Sequence, residues 1–289
     1  MKISKFFLLI TLMIILSLSN QMKMMSYVEV NDNDLSAVGC YVRSDNGKPF
    51  FDFTSIFAAN INGKDPNHPE IYFNWQVDEL INKNHNKIEK LQSQGIKVFV
   101  TLLGNHFNAG WCCMTDQNQI DKFADDIIKM LNKYNLDGVD IDDEYSNCSP
   151  NLTSLDRIVK SLLNHPNLNN KYISIALWNN SHLFNQGELS KNLHYGWEMS
   201  YSGPYDRLRP YHSLGFESEK LYLGLRFGET NAESYINIAK NYGGLMFYDV
   251  KKNGQDSLSR FTKIIYGESV IVKNICNEND EEKKMNFLE

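Results

Sequence analysis

The sequence is poor in features that would tie it to nucleic acid, metal or membrane. It has 29 Lys and Arg against 35 Asp and Glu, a formal net charge of −6. No Lys/Arg-rich run stands outside short loops, so the electrostatic footprint of a nucleic-acid binder is missing. The seven histidines show no metal-ligand spacing, and the five cysteines contain no C-x-x-C pair. A bound metal is therefore not expected, and no cofactor motif is seen. No repeat with a period of roughly 20–50 residues runs through the chain, which argues against a solenoid or propeller. No Pro/Gly/Ser-rich linker divides its 289 residues, and α/β barrels of this length commonly form one domain. After the N-terminus no apolar run approaches the roughly 20 residues that span a bilayer.

What is there begins with MKISKFFLLITLMIILSLSNQ. Two lysines precede an almost wholly apolar run from Phe6 to Leu18, and small and polar residues follow. Residues 1–21 read as a secretory signal peptide, with an uncleaved membrane anchor as the competing reading. The mature chain then comprises one domain over residues 22–275 and a polar tail over 276–289. Export permits disulfides among Cys40, Cys112, Cys113, Cys148 and Cys276. Their number is odd, so at least one is free or pairs between chains. Asn147, Asn151 and Asn179 lie in N-x-S/T sequons, which matter only in a eukaryotic host.

Short apolar runs alternate with helical patterns along the mature chain. The runs are Tyr27–Val30, Ser55–Ala59, Val98–Leu103, Gly138–Ile141, Ile173–Leu177, Gly196–Tyr201, Leu221–Leu225 and Leu245–Tyr248. The clearest helix is Gln117–Tyr134, where Ile120, Phe123, Ala124, Ile127, Leu131 and Tyr134 share one face. Residues 74–94 carry a weaker helical pattern, and Ala232–Lys240 and Ser257–Tyr266 form shorter ones. Eight strands with intervening helices indicate the α/β class and a parallel (β/α)8 TIM barrel in which some helices are irregular or missing. A doubly wound open sheet produces the same alternation.

The segment NLDGVDIDDEYSN favours the barrel. Side chains alternate faces in a strand, so Asp140, Asp142 and Glu144 share one face while Val139 and Ile141 share the other. Three acids on one face of a parallel strand are costly to bury unless they are hydrogen-bonded or share protons. The inner face of a barrel strand, rising to the open C-terminal end, is a place where they are tolerated. A calcium loop is the other reading, but the segment lacks the ligand pattern and central Gly of an EF-hand.

LDGVDIDDEY resembles the D-G-x-D-x-D-x-E signature of glycoside hydrolase family 18, carried on the fourth barrel strand. Chitinases of that family usually have Trp before the last acid. Asp143 stands there in this sequence, and DDEY looks like the Endo H branch, which cleaves N-linked glycans within their chitobiose core. YVEVNDNDLSAVGCY, FAANIN, QGIKVFVTLLGNHFNAGW, YGGLMFYDV and FTKIIYG are similar to other segments of that branch. The resemblance implies an endo-β-N-acetylglucosaminidase acting on N-linked glycans or glycoproteins. A chitinase or a weakly catalytic glycan-binding lectin on the same barrel are the alternatives. Asp143 argues against the first and the presence of Glu144 against the second.

In that family the substrate's 2-acetamido oxygen replaces the second carboxylate as nucleophile. The resemblance makes Glu144 the acid/base and has Asp142 hold the acetamido group. Asp140 is expected to hydrogen-bond Asp142, and Asp137 to support the strand. Tyr201, in a Met-x-Tyr match on the sixth strand, is the candidate hydroxyl for the acetamido carbonyl. Tyr248, on the last strand, is the candidate floor of the sugar subsite. Either tyrosine could instead be barrel core. Trp197 is expected to turn away from the Met199/Tyr201 face into the core, and Glu198 departs from the Asn of the Endo H branch. Asn105 and His106 would contact glycan or cap the loop after the third strand. Trp111 would stack on sugar or pack that loop down. Neighbouring barrel strands would bring Cys113 and Cys148 together as a disulfide, with Cys112 as the substitute for Cys113. A secreted monomer that binds no nucleic acid, and no membrane after signal removal, completes the reading.

Overall fold

The computed structural model describes residues 22–185 and 188–273. The expected signal peptide at 1–21 and the polar tail at 276–289 lie outside the described residues. Eight parallel strands form the centre: β1 (Lys23–Glu29), β2 (Phe53–Asn62), β3 (Lys97–Gly104), β4 (Gly138–Asp142), β5 (Tyr172–Leu177), β6 (Tyr195–Glu198), β7 (Leu221–Arg226) and β8 (Gly244–Tyr248). Each pairs in parallel with the next, and β1 pairs with both β2 and β8, so the sheet closes on itself. The barrel is the expected one; the open sheet is excluded because it would leave β1 and β8 as edges.

Two-residue alternation sorts the strand side chains into two cores. Val98, Val100, Leu102, Val139, Ile141, Ile173 and Ile175 face outward into one layer shared with the helices. Met25, Tyr27, Phe53, Phe99, Trp197, Tyr222 and Met246 fill the lumen as a second cluster. Gly138 makes room in that lumen, because a Cβ there would come within 2.3 Å of the Phe99 ring. Burying a large apolar side chain is worth roughly 1.5–3 kcal/mol, so both layers contribute strongly to the closed form.

The helices are uneven, as expected. Gln117–Lys133 is a continuous helix, α2, between β3 and β4, and its inward face is Ile120, Phe123, Ala124, Ile127, Ile128 and Leu131. Asp116 caps it by accepting the Gln119 N–H at 3.1 Å. The helical pattern over 74–94 is broken. A turn at Trp75–Asp78 and a π-turn at Glu79–Lys83 precede the helix proper, α1 (Asn86–Ser93). The break falls at Asn84–His85, in a run where asparagine, a weak helix former, stands at positions 82, 84 and 86. Helix α3 (Ser154–Asn164) is an addition: Leu155, Ile158, Val159 and Leu162 bury one face of a helix only three turns long. After β5 and β6 the described chain makes short helices, among them Leu189–Asn192 and Arg209–Ser213. Two later helices, Ala232–Ala239 and Gln255–Tyr266, match the expected segments. Among the described residues no helix is long and apolar enough to cross a membrane.

Candidate active site

The site is built on β4, where every residue from Gly138 to Asp142 is buried. Asp137, at the foot of the strand, accepts hydrogen bonds from Gln92, Lys97 and the Val98 N–H. It supports the strand, as expected. Val139 and Ile141 face the helices, and Asp140 and Asp142 face the lumen.

Asp140 is fully enclosed and fully satisfied. The ladder register sets Thr101 of β3 and Ser174 of β5 directly beside it. The Thr101 hydroxyl donates to Oδ2 at 2.9 Å and the Ser174 hydroxyl to Oδ1 at 2.6 Å. Across the lumen the Tyr27 hydroxyl donates to Oδ2 at 2.7 Å and the Trp197 Nε1–H to Oδ1 at 3.0 Å. Burial pushes its carboxyl up to about 6, and the four donors oppose that rise. Asp140 therefore hydrogen-bonds these four residues and not Asp142, contrary to expectation. Its lone pairs are claimed by neighbours that the barrel register and the facing wall supply.

One layer higher, Asp142 is buried with an Oδ2 that has no hydrogen-bond partner. Burial comes first among the causes that push its carboxyl well up, followed by the charges of Glu144, Asp140 and Asp143. Glu144 stands just past the strand end and is only partly buried. Burial and the neighbouring Asp143 raise its carboxyl. The three acids thus run from an enclosed anchor through an under-bonded carboxyl to one at the open end. A buried polar atom without a partner is expensive, and at a site it marks a position that a ligand can satisfy.

Aromatic residues close over this column. Tyr201 lies beyond the end of β6, in a loop, with a left-handed φ of 51°. Its ring stacks on Tyr248 at 4.9 Å, with an interplanar angle of 28°. The Tyr248 hydroxyl donates to Glu29 at 3.2 Å. Burial first, then the neighbouring Tyr248 and Asp142, push the Tyr201 phenol up. These two tyrosines and the β4 acids meet in one place.

One other expectation is corrected, that for Trp197, while Trp111 and Asn105 each take one of their two expected roles. Trp197 does not turn away from Met199 and Tyr201. Residues 197, 199 and 201 have the same parity, and all three pack with the lumen cluster. Trp111 cannot stack on sugar: it is fully buried, donates Nε1–H to the Leu102 carbonyl at 2.8 Å and packs on Phe123. Its indole pins the loop after β3 onto α2. Asn105 is at the rim, where its amide donates to Asn62 at 2.8 Å, a contact that positions the loop.

Glu198 is buried and accepts the Ser200 N–H at 2.8 Å, the Ser200 hydroxyl and the Gly224 N–H at 3.3 Å. Beside it, above β5 and β6, opens a cavity of ≈ 500 Å³ lined by Trp178, Asn179, Glu198, Asp206, Arg207 and Tyr211. Trp178 is 53% exposed there. Strand alternation places Tyr27, Thr101 and Ser174 inward, but only the barrel register reveals that they meet Asp140. Among the described residues no group of three or more His, Cys, Asp or Glu side chains could hold a metal ion.

The loop after β4 lies along the loop after β3. Cys113 and Cys148 join the two in a disulfide, with an S–S distance of 1.97 Å, as expected. Cys112 is a free, buried thiol that hydrogen-bonds Asp143.

A closed (β/α)8 barrel with a column of acids on the lumen face of β4 and tyrosines above it defines a glycoside hydrolase. The chain belongs to glycosyl hydrolases family 18, whose description matches residues 27–237. It is similar to an endo-beta-N-acetylglucosaminidase of Flavobacterium sp. (strain SK1022), with 30% identity over 84% of this chain and 80% of the relative. It is also similar to endo-beta-N-acetylglucosaminidase F1 of Elizabethkingia meningoseptica, at 26% identity over 89% of this chain and 82% of the relative. Among solved structures, Bacteroides thetaiotamicron EndoBT-3987 with Man5GlcNAc product superposes with a TM-score of 0.69 at 21% identity. That match covers 88% of this chain, which spans 63% of the neighbour's chain. The chitinase ChiC of Aspergillus fumigatus shares the fold with a TM-score of 0.56 at 20% identity, over 78% of this chain and 91% of the neighbour.

Proposed function

We propose that the protein is an endo-β-N-acetylglucosaminidase that hydrolyses the GlcNAc-β-1,4-GlcNAc bond in the chitobiose core of N-linked glycans. The observation that carries this reading is the unpartnered Oδ2 of buried Asp142, set between the saturated Asp140 and the more open Glu144. An acetamido N–H at that point would supply the missing donor. Both curated relatives named above are endo-beta-N-acetylglucosaminidases. EndoBT-3987 has been solved with Man9GlcNAc2Asn substrate, which supports an N-glycan as the ligand of this barrel. Asp143 before the acid, in place of the Trp usual in chitinases, supports cleavage of N-glycans over chitin.

The chemistry follows from the column. Asp142 holds the acetamido N–H and turns its carbonyl oxygen toward C1, and the Tyr201 hydroxyl supports that oxygen. The oxygen attacks C1 as the C1–O bond to the second sugar breaks, and Glu144 delivers its proton to the departing oxygen. An oxazolinium ion results, with its positive charge beside the Asp142 carboxylate. Glu144, now a carboxylate, takes a proton from water as the water attacks C1. The ring opens, configuration is retained and Glu144 is protonated again. Burial and Asp143 raise the Glu144 carboxyl, which keeps the acid protonated at milder pH. Asp140 keeps Asp142 in place through the wall they share, and Tyr248 forms part of the sugar floor. The same reading makes residues 1–21 an export signal and the working protein a secreted monomer.

The test is incubation of the mature protein with a high-mannose glycoprotein and, separately, with chitin oligomers, followed by mass spectrometry. The expected product is a glycan ending in a single N-acetylglucosamine, with the other sugar left on asparagine. Release of the intact chitobiose, or turnover of chitin oligomers alone, overturns the reading.

A further inference from the structure

Glu144 is held from both sides by the loop after β3. On the N-terminal side, the Asp143 carboxylate accepts hydrogen bonds from the backbone N–H and the thiol of Cys112. On the C-terminal side, the Tyr145 carbonyl accepts the His106 N–H at 2.7 Å. Between them the Glu144 carbonyl sits so close to Gly104 that a Cβ at that glycine would come within 2.1 Å. The pairing continues outward: Asn147 N–H donates to the Phe107 carbonyl at 2.7 Å, and its side chain donates to the His106 carbonyl. Asn151 N–H donates to the Cys112 carbonyl at 2.7 Å, and its side chain donates to the Met114 carbonyl at 2.7 Å. The Cys113–Cys148 disulfide lies in the middle of this zip. His106 and Tyr145 hold left-handed φ values of 57° and 59°, conformations that non-glycine residues keep only when neighbours fix them.

Residue 112 is the hub. Its N–H and thiol reach Asp143, its carbonyl receives Asn151, and its chain neighbour is one end of the disulfide. Burial and Asp143 push the thiol far up, so it stays protonated and acts as a donor instead of a nucleophile. A free cysteine so placed has no reactive use, yet it completes the bonding of the carboxylate next to the acid.

We propose that the Cys112–Asp143 contact, braced by the Cys113–Cys148 disulfide, is a positioning device that sets the place and protonation of Glu144. This rests on the reading of Glu144 as the acid/base. The charged and titratable groups around Glu144 are Asp142, Asp143 and Tyr145 on its own strand and loop. On neighbouring elements, Cys112 of the β3 loop and His182 after β5 act on Asp143, the His106 ring lies 5.4 Å from that of Tyr145, and Tyr201 after β6 faces Asp142. Of these, Asp143 is the carboxylate that joins burial in raising Glu144.

The test uses the full mature chain and a high-mannose glycopeptide, with kcat and KM measured across pH and circular dichroism as a check of the fold. Wild-type turnover that is lost in Glu144→Gln secures the underlying reading; an inactive wild type or an active Glu144→Gln overturns it and the inference with it. Given that reading, Asp143→Asn removes a negative charge beside the acid. The basic limb of its kcat profile is expected to move to lower pH, because the acid then loses its proton earlier. Cys112→Ala is expected to lower kcat by about tenfold or more, since small displacements of a catalytic group are costly. KM should stay within about twofold, because ground-state binding is untouched. Cys112→Ser, which keeps a donor, recovers most of the rate. The pair C113A/C148A, which breaks this bridge alone, lowers kcat in the same way. Should Cys112→Ala fail to fold, Asp143→Asn and Cys112→Ser carry the test. An unmoved basic limb in Asp143→Asn, or full kcat in Cys112→Ala or C113A/C148A, overturns the inference.

Discussion

The Tyr27 hydroxyl reaches across the barrel lumen from β1 to Asp140 Oδ2 at 2.7 Å, joining the two walls of the barrel beneath the site. Tyr27→Phe keeps the ring contacts with Phe57 at 5.7 Å and Tyr248 at 6.4 Å. It removes one of four donors to a buried carboxylate. The expected loss of stability is about 1.5–3 kcal/mol, the range for a hydrogen bond to a charged group. Urea unfolding of the two proteins side by side measures it. A change within error would show that Tyr27 is only a packing residue.

The acid column is legible in the sequence because strand parity alone aligns Asp140, Asp142 and Glu144, and because Val139 and Ile141 demand an outer apolar layer. The same parity places Trp197 with Met199 and Tyr201 in the lumen, and the expectation that it turns away disregards that alternation. Trp111 sits in a loop, where no period indicates whether an indole faces solvent or core; only the packing of that loop on α2 decides it. The partners of Asp140 come from four other strands, and their meeting depends on barrel register, which no single segment encodes. Cys113 and Cys148 are legible as a pair once the order of the strands is assumed. The bond from Cys112 to Asp143 depends on how two irregular loops lie together.

Glu144→Gln is expected to abolish hydrolysis and leave the fold intact. The amide is nearly isosteric but has no proton to give the leaving oxygen, and general acid catalysis is worth roughly 10²–10⁴-fold. Glu144 is only partly buried, so the substitution disturbs little packing. Release of glycan from a glycopeptide, followed by chromatography, measures the loss. Activity above about a tenth of wild type would remove Glu144 from the acid's role.

The raised carboxyl of Asp142 has a consequence for stability. Its folded value lies above the unfolded one, so the native state holds a proton that the unfolded chain has released. Stability from that proton is fully present below the unfolded value of roughly 3.9 and is lost as pH rises from there through the folded value. Asp142→Asn removes the titration. Between about pH 4 and pH 7 the wild type should therefore lose stability more steeply than Asp142→Asn. Denaturant midpoints at several pH values read this out. Parallel curves for the two proteins would mean that Asp142 titrates alike in both states.

Asp142→Asn also separates the two halves of the proposed reaction. In the first half the acetamido oxygen must be turned toward C1 and its developing positive charge stabilised, and both tasks fall to the Asp142 carboxylate. In the second half the ring already exists, and Glu144 needs only to activate the acceptor. The variant should hydrolyse glycopeptide poorly, yet still consume a pre-formed glycan oxazoline, because that donor already contains the closure for which Asp142 is required. The unpartnered Oδ2 of Asp142 is the structural reason to expect this split, since a buried carboxyl oxygen left without a donor is free for the acetamido N–H. Rates with both donors, followed by mass spectrometry, provide the comparison. Equal impairment on oxazoline and glycopeptide would place Asp142 in both steps. A covalent sugar trapped on a β4 carboxylate, or hydrolysis of substrates with hydroxyl in place of the acetamide, would replace the substrate's own nucleophile with one from the protein.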